Sequence, residues 1–122
     1  MRRFVAGVAA MAAALALSAC SSGAADASPV ATSQVDLPPS YRFEPAAITV
    51  PNGTTVTWTN NDSFTHNVRL LDDGGDILEL PPGESVSFTF RGVGEHRYDC
   101  SFHPNDMSGV VVVTEAAAGA LP

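Results

Sequence analysis

The chain has 122 residues, two cysteines, six arginines and no lysine, against 13 carboxylates, for a formal charge of −7. That length is one small domain. So acidic a chain is not built for nucleic acid or anionic lipid, because both rest on Lys/Arg attraction to phosphate; it is drawn to cationic partners, or its acidity serves solubility alone.

Arg2 and Arg3 open a basic segment, and Phe4 to Leu17 is an Ala-rich apolar run too short for a comfortable membrane crossing. It ends in Leu17-Ser18-Ala19-Cys20, which resembles the lipobox of bacterial lipoproteins. In those proteins the peptide is cut before the cysteine, whose sulfur receives a diacylglycerol. Residues 1–19 are thus expected to be a lipoprotein signal peptide, with Cys20 the lipidation site that anchors the protein to a membrane on its extracytoplasmic side. An ordinary secretory signal with a chance cysteine is the alternative. Losing residues 1–19 removes two arginines and no acid, so the mature chain carries −9. In an exported protein a Cys20–Cys100 disulfide is arithmetically open. If Cys20 carries lipid, Cys100 is the remaining thiol, and metal coordination would protect it from oxidation.

Residues 20–36 then read as the lipidated cysteine and a flexible Ala/Ser/Pro/Thr-rich tether, residues 37–115 as the folded domain, and residues 116–122 as a loose tail. Within the domain the periodicity is two throughout. Ile48 and Val50 form one inward pair, and Thr55 to Thr59 alternates with Val56 and Trp58 on one face. Ser85 to Phe90 alternates with Val86, Phe88 and Phe90 inward, and Val110 to Val113 is a continuous apolar run suited to a buried strand. Pro51-Asn52-Gly53, Asp72 to Asp76, Pro81-Pro82-Gly83 and Gly92-Val93-Gly94 punctuate these as turns. Short strands at this spacing indicate an all-β, two-sheet sandwich. Asp72, Asp73, Asp76 and Glu79 do not follow an EF-hand and read as a solvated acidic turn.

The chemistry gathers at Cys100-Ser101-Phe102-His103-Pro104-Asn105-Asp106-Met107, a C-x₂-H-x₃-M loop, with His66 standing 34 positions upstream of Cys100. That separation is compatible with strands of different sheets meeting at one end of a sandwich. Soft cysteine and methionine sulfur suit Cu(I), and imidazole suits both copper states. A His₂Cys set with a weak axial Met is an electron-transfer geometry. The loop, the upstream Asp62-Ser63-Phe64-Thr65-His66-Asn67-Val68 segment and the Ser108-Gly109-Val110-Val111 strand entry together resemble the cupredoxin family, in particular its small plastocyanin- and amicyanin-like members.

The resemblance implies a Greek-key β-sandwich holding one mononuclear type 1 (blue) copper through His66, Cys100, His103 and Met107. It further implies that Asn67 ties the two ligand segments together by hydrogen bonding, and that His103 is the electron exit within a docking patch containing Phe102 and Pro104. The x₃ spacing to Met107 falls between the shorter and longer loops of the family. His96, on the strand leading to Cys100, reads as a surface histidine. Four protein ligands leave no open position for substrate. Asp99 and Ser101 flank Cys100, without the adjacent histidine that wires copper oxidases and nitrite reductases to a second centre, and no nucleophile elbow or phosphate loop is present. The expectation is a non-enzymatic, monomeric, membrane-anchored carrier of single electrons, meeting a transient redox partner with a basic docking surface. A copper-binding and delivery lipoprotein, and a metal-free interaction module, are the other readings of the same residues.

Overall fold

The computed structural model describes residues 28–116, so the segment expected to be a signal peptide, the expected lipidation site at Cys20 and the expected loose tail lie outside the described residues. Nine strands are formed among them, with no helix: β1 (Val30–Ala31), β2 (Gln34–Leu37), β3 (Ala47–Pro51), β4 (Thr55–Asn60), β5 (His66–Leu70), β6 (Ile77–Leu80), β7 (Ser85–Thr89), β8 (Gly94–Asp99) and β9 (Ser108–Thr114). They build two sheets, one in the order β1-β3-β9-β8-β5-β6 and the other β2-β4-β7. This is the all-β two-sheet sandwich that the alternating pattern called for.

The alternation explains why each face goes where it does. In β4, Val56 and Trp58 are fully buried. On the opposite face its threonines pair with β7 hydroxyls, Thr55 with Thr89 at 2.7 Å, Thr57 with Ser87 at 2.8 Å and Thr59 with Ser85 at 2.8 Å. Cross-strand hydroxyl pairs of this kind contribute roughly 0.2–1 kcal/mol each. The Trp58 ring lies edge-on between Phe90 at 6.0 Å and Tyr98 at 5.2 Å, knitting the small sheet to the large one. In β9 only Val111 and Val113 are fully buried, with Val110 and Val112 half-buried, so the apolar run serves one face more than the other.

Gly109 is required by close approach. A Cβ there would collide with the Tyr98 ring and stand 2.9 Å from the Ala46 carbonyl oxygen.

Two expectations are corrected. The stretch read as a tether to residue 36 already contains β1 and most of β2, each pairing in parallel, β1 with β3 and β2 with β4. Val35 and Leu37 are buried while Gln34 and Asp36 point outward. Four residues of alternation are too few to outweigh the surrounding Ala/Ser/Pro/Thr composition, and the register is supplied by Trp58, opposite Val35. The strand that carries His66 and the strand that leads into Cys100 also belong to one sheet rather than two. β5 lies antiparallel beside β8, with Arg69 opposite Asp99 and Leu70 opposite Tyr98. Moving backwards along β5 from Arg69 therefore runs alongside the chain moving forwards from Asp99, which brings His66 to the loop that follows β8.

Candidate metal centre

Two hairpin strands frame the site. β8 and β9 pair from Gly94 opposite Val113 to Asp99 opposite Ser108, and residues 100–107 form the loop beyond that last pair. The loop is closed by its own backbone. Cys100 N–H donates to the Met107 carbonyl at 3.0 Å and His103 N–H to the Cys100 carbonyl at 3.1 Å. Asp106 and Met107 N–H both donate to the His103 carbonyl, at 3.1 and 2.9 Å. These turns bring Met107 back beside Cys100, and both side chains are fully buried.

His66, also fully buried at the start of β5, turns its Nδ1 toward Cys100 Sγ at 4.0 Å. His103 is half-buried on the loop, its ring centroid 6.1 Å from that of His66. The structure thus joins His66 to Cys100 closely and folds Met107 onto Cys100 through the backbone, while His103 approaches ring to ring. Among the described residues no three His, Cys, Asp or Glu side chains are drawn into a metal-sized cluster.

Around this pair the neighbouring strands are tied residue by residue. Asn67 donates from Nδ2 to Ser101 Oγ at 2.7 Å and accepts from Ser101 N–H at 2.8 Å, so one side chain clasps the loop to β5. Two residues along β5, the Arg69 guanidinium makes a two-pronged pair with Asp99, Nε to Oδ1 at 2.8 Å and Nη2 to Oδ2 at 2.7 Å. Such a fork is geometrically specific as well as attractive, and the Asp99 carboxylate raises the Arg69 pKa further above its ordinary value.

Several contributors escape a reading of the sequence. Asp62 accepts a hydrogen bond from His66 Nε2 at 2.8 Å. The His66 bond holds its carboxyl below the usual carboxylate range, against burial, which acts the other way. Tyr41 reaches the site from the β2–β3 connection, its ring edge-on to His103 at 4.7 Å and to His66 at 5.9 Å, and stacked on Phe64 at 6.1 Å. Its φ of +54° is left-handed, at a cost of about 1–2 kcal/mol for a residue with a Cβ. Phe64 and Phe102 are each 57% exposed and Pro104 is also exposed, so aromatic and apolar surface surrounds His103. Nothing in the local sequence marks Tyr41, which lies far upstream. The Asp62–His66 spacing carries no signal in a loop, where i and i+4 have no fixed relation. His96 lies outside this group; it is part-buried against Asp73.

The donor chemistry fits copper: two sulfurs and two imidazoles, with one imidazole nitrogen already directed at the thiol. Comparison with known proteins gives the same direction. The family model of the cupredoxin-like domain matches residues 7–113. Amicyanin-alpha of Methylorubrum extorquens is 30% identical over 115 residues, covering 90% of this chain and 95% of that protein. The chloroplastic plastocyanin of Tetradesmus obliquus is 38% identical over 84 residues, which cover 58% of this chain and 57% of that protein. Among solved structures, a purple cupredoxin from Nitrosopumilus maritimus superposes with a TM-score of 0.57 at 33% identity, covering 66% of this chain and 98% of that one.

Proposed function

The chain belongs to the cupredoxin-like family, and from that membership we propose that it carries single electrons between redox partners through a type 1 copper site formed by His66, Cys100, His103 and Met107. One type 1 copper is the cofactor of its plastocyanin and amicyanin relatives, which are electron carriers rather than enzymes. Bound in this chain, copper would supply a one-electron Cu(II)/Cu(I) couple. The observation that carries the residue assignment is the buried His66 Nδ1 directed at Cys100 Sγ at 4.0 Å, at the mouth of the loop that returns Met107.

Each residue has a distinct task. Cys100 provides the thiolate, and burial at the end of β8 keeps water and oxidants from it. His66 provides an imidazole from β5, held against the loop by the Asn67–Ser101 clasp. Met107 would offer its thioether sulfur, a weak donor that would tune the potential more than it retains the metal. His103 provides the second imidazole and, half-buried among Tyr41, Phe102 and Pro104, the route by which an electron crosses to a docked partner. Backbone hydrogen bonds across the loop hold Cys100, His103 and Met107, and the β5–β6 ladder holds His66 opposite Leu80, which would keep the rearrangement on electron transfer small.

The partner is a protein with a basic docking surface, met transiently, as the small interfaces of redox encounters allow. We further assign the chain to the extracytoplasmic side of a membrane, held by lipid on Cys20. Cys20→Ala is expected to release the protein from membranes into the soluble fraction; persistent membrane association of that variant would rule the anchor out.

The decisive experiment on the site is a visible absorption spectrum during titration with Cu(II), followed by reduction with ascorbate. An intense blue band that bleaches reversibly is expected. Tight binding without the band would replace electron transfer with copper delivery, and no binding would leave a metal-free interaction module.

A further inference from the structure

Asp62 is a buried acid to which the roles above give no task. Its side chain is 5% exposed and that of its partner His66 is 1% exposed. Oδ2 lies 2.8 Å from His66 Nε2, and Oδ1 accepts from Ser63 N–H at 2.7 Å. The Asp62 backbone is anchored as well. Asp62 N–H donates to Asn60 Oδ1 at 2.8 Å, and Asn60 Nδ2 donates in turn to the carbonyls of Phe64 at 2.8 Å and Leu80 at 2.9 Å.

This arrangement decides which nitrogen of His66 is available. A carboxylate has no proton to give, so the proton in the Asp62–His66 bond sits on Nε2. In the neutral ring the lone pair is then on Nδ1, the nitrogen that faces Cys100 Sγ at 4.0 Å. A carboxylate behind a ligating histidine fixes the ring orientation and raises its basicity. It also adds a negative charge in a buried region, where charge is poorly screened.

Building on the copper reading, we propose that Asp62 is a positioning residue: it locks His66 in the Nε2–H tautomer, presents Nδ1 to the metal, and biases the couple toward Cu(II). The consequence is a lower reduction potential than the four ligands alone would set.

Two substitutions separate the bond from the charge. Asp62→Asn keeps an oxygen able to accept from Nε2–H in nearly the same shape while removing the charge. Asp62→Ala removes both. Nitrogen-15 NMR of the copper-free full chain is expected to report the Nε2-protonated tautomer of His66 in the parent and in Asp62→Asn, and a mixture of tautomers in Asp62→Ala. Potentiometry of the copper-loaded proteins is expected to move the Cu(II)/Cu(I) equilibrium of Asp62→Asn about tenfold toward Cu(I), equivalent to about 59 mV for one electron. Asp62→Ala is expected to show in addition a roughly 10–100-fold loss of copper affinity.

A parent protein that shows the Nδ1–H tautomer overturns the proposal, as does an Asp62→Asn potential equal to that of the parent. If the parent binds copper without a blue band, the electron-transfer reading fails instead, and the copper-free spectra alone decide whether Asp62 sets the tautomer.

Discussion

At the scale of single residues, the two sulfurs of the loop have separable duties. Cys100 and Met107 are both fully buried and joined through the Cys100 N–H to Met107 carbonyl bond, yet in the proposed site only the thiolate would supply the strong bond that gives colour. Cys100→Ser is expected to abolish the blue band while far-ultraviolet circular dichroism still reports an all-β domain; an unchanged spectrum would remove Cys100 from the site. Met107→Leu is expected to keep the band and raise the reduction potential, since loss of a weak axial donor destabilises Cu(II) more than Cu(I). Complete loss of copper binding in that variant would show that Met107 retains the metal rather than tuning it. The loop spacing of Cys100, His103 and Met107 is legible in the sequence because a covalent spacing of a few residues is fixed by the chain itself. Asp62 and Tyr41 are not, because what makes each matter is a single contact made across the fold.

At the scale of elements, the β5–β6 turn is fastened to β8 by charge. The Arg97 guanidinium meets Asp72 at 2.8 Å and holds its carboxyl well below the usual range. Gly74 and Gly75, at φ of +93° and +76°, let the chain reverse so that Asp72 and Asp73 face β8. His96 contacts an acceptor at each ring nitrogen, Asp73 Oδ2 at 2.9 Å from Nδ1 and the Gly92 carbonyl at 2.7 Å from Nε2. Only the doubly protonated imidazolium satisfies both. Burial opposes that charge, but the Gly92 carbonyl and Asp73 outweigh it, and the net effect raises the His96 pKa above 6.5. A raised folded-state value means that the stabilisation is fully present below pH ~6.5 and is lost as pH rises through the higher folded-state value. The thermal midpoint is therefore expected to fall as pH is raised through neutrality, by an amount corresponding to on the order of 1 kcal/mol. His96→Gln is expected to flatten that dependence, and an equally steep profile in the variant would assign it to another group. The acidic turn was legible as a turn from its Asp and Gly content. Its pairing with His96 and Arg97 was not, since that depends on how β5 and β8 align.

At the scale of the whole molecule, charge governs encounter rather than fold. A chain with 13 carboxylates, six arginines and no lysine attracts cationic reagents over long range. Raising ionic strength from about 0.01 M to about 0.1 M shortens the screening length from about 30 Å to about 10 Å. Electron transfer with a cationic small-molecule oxidant is expected to slow over that range, and with an anionic one to quicken. Equal rates at both salt concentrations would mean that the surface around His103 is electrostatically neutral and that docking there is apolar, through residues such as Phe64 and Phe102.

By itself the sequence determined the fold class, since strict alternation in segments such as Thr55 to Thr59 admits one buried face and one solvated one. It also determined that sulfur and imidazole donors sit a few residues apart along one loop. Tertiary structure alone decided that His66 reaches Cys100 within one sheet, that Val30 to Leu37 joins the fold, and that Asp62 stands behind His66. Each of these is a long-range register or packing choice, set by which surfaces bury together and by no short-range pattern.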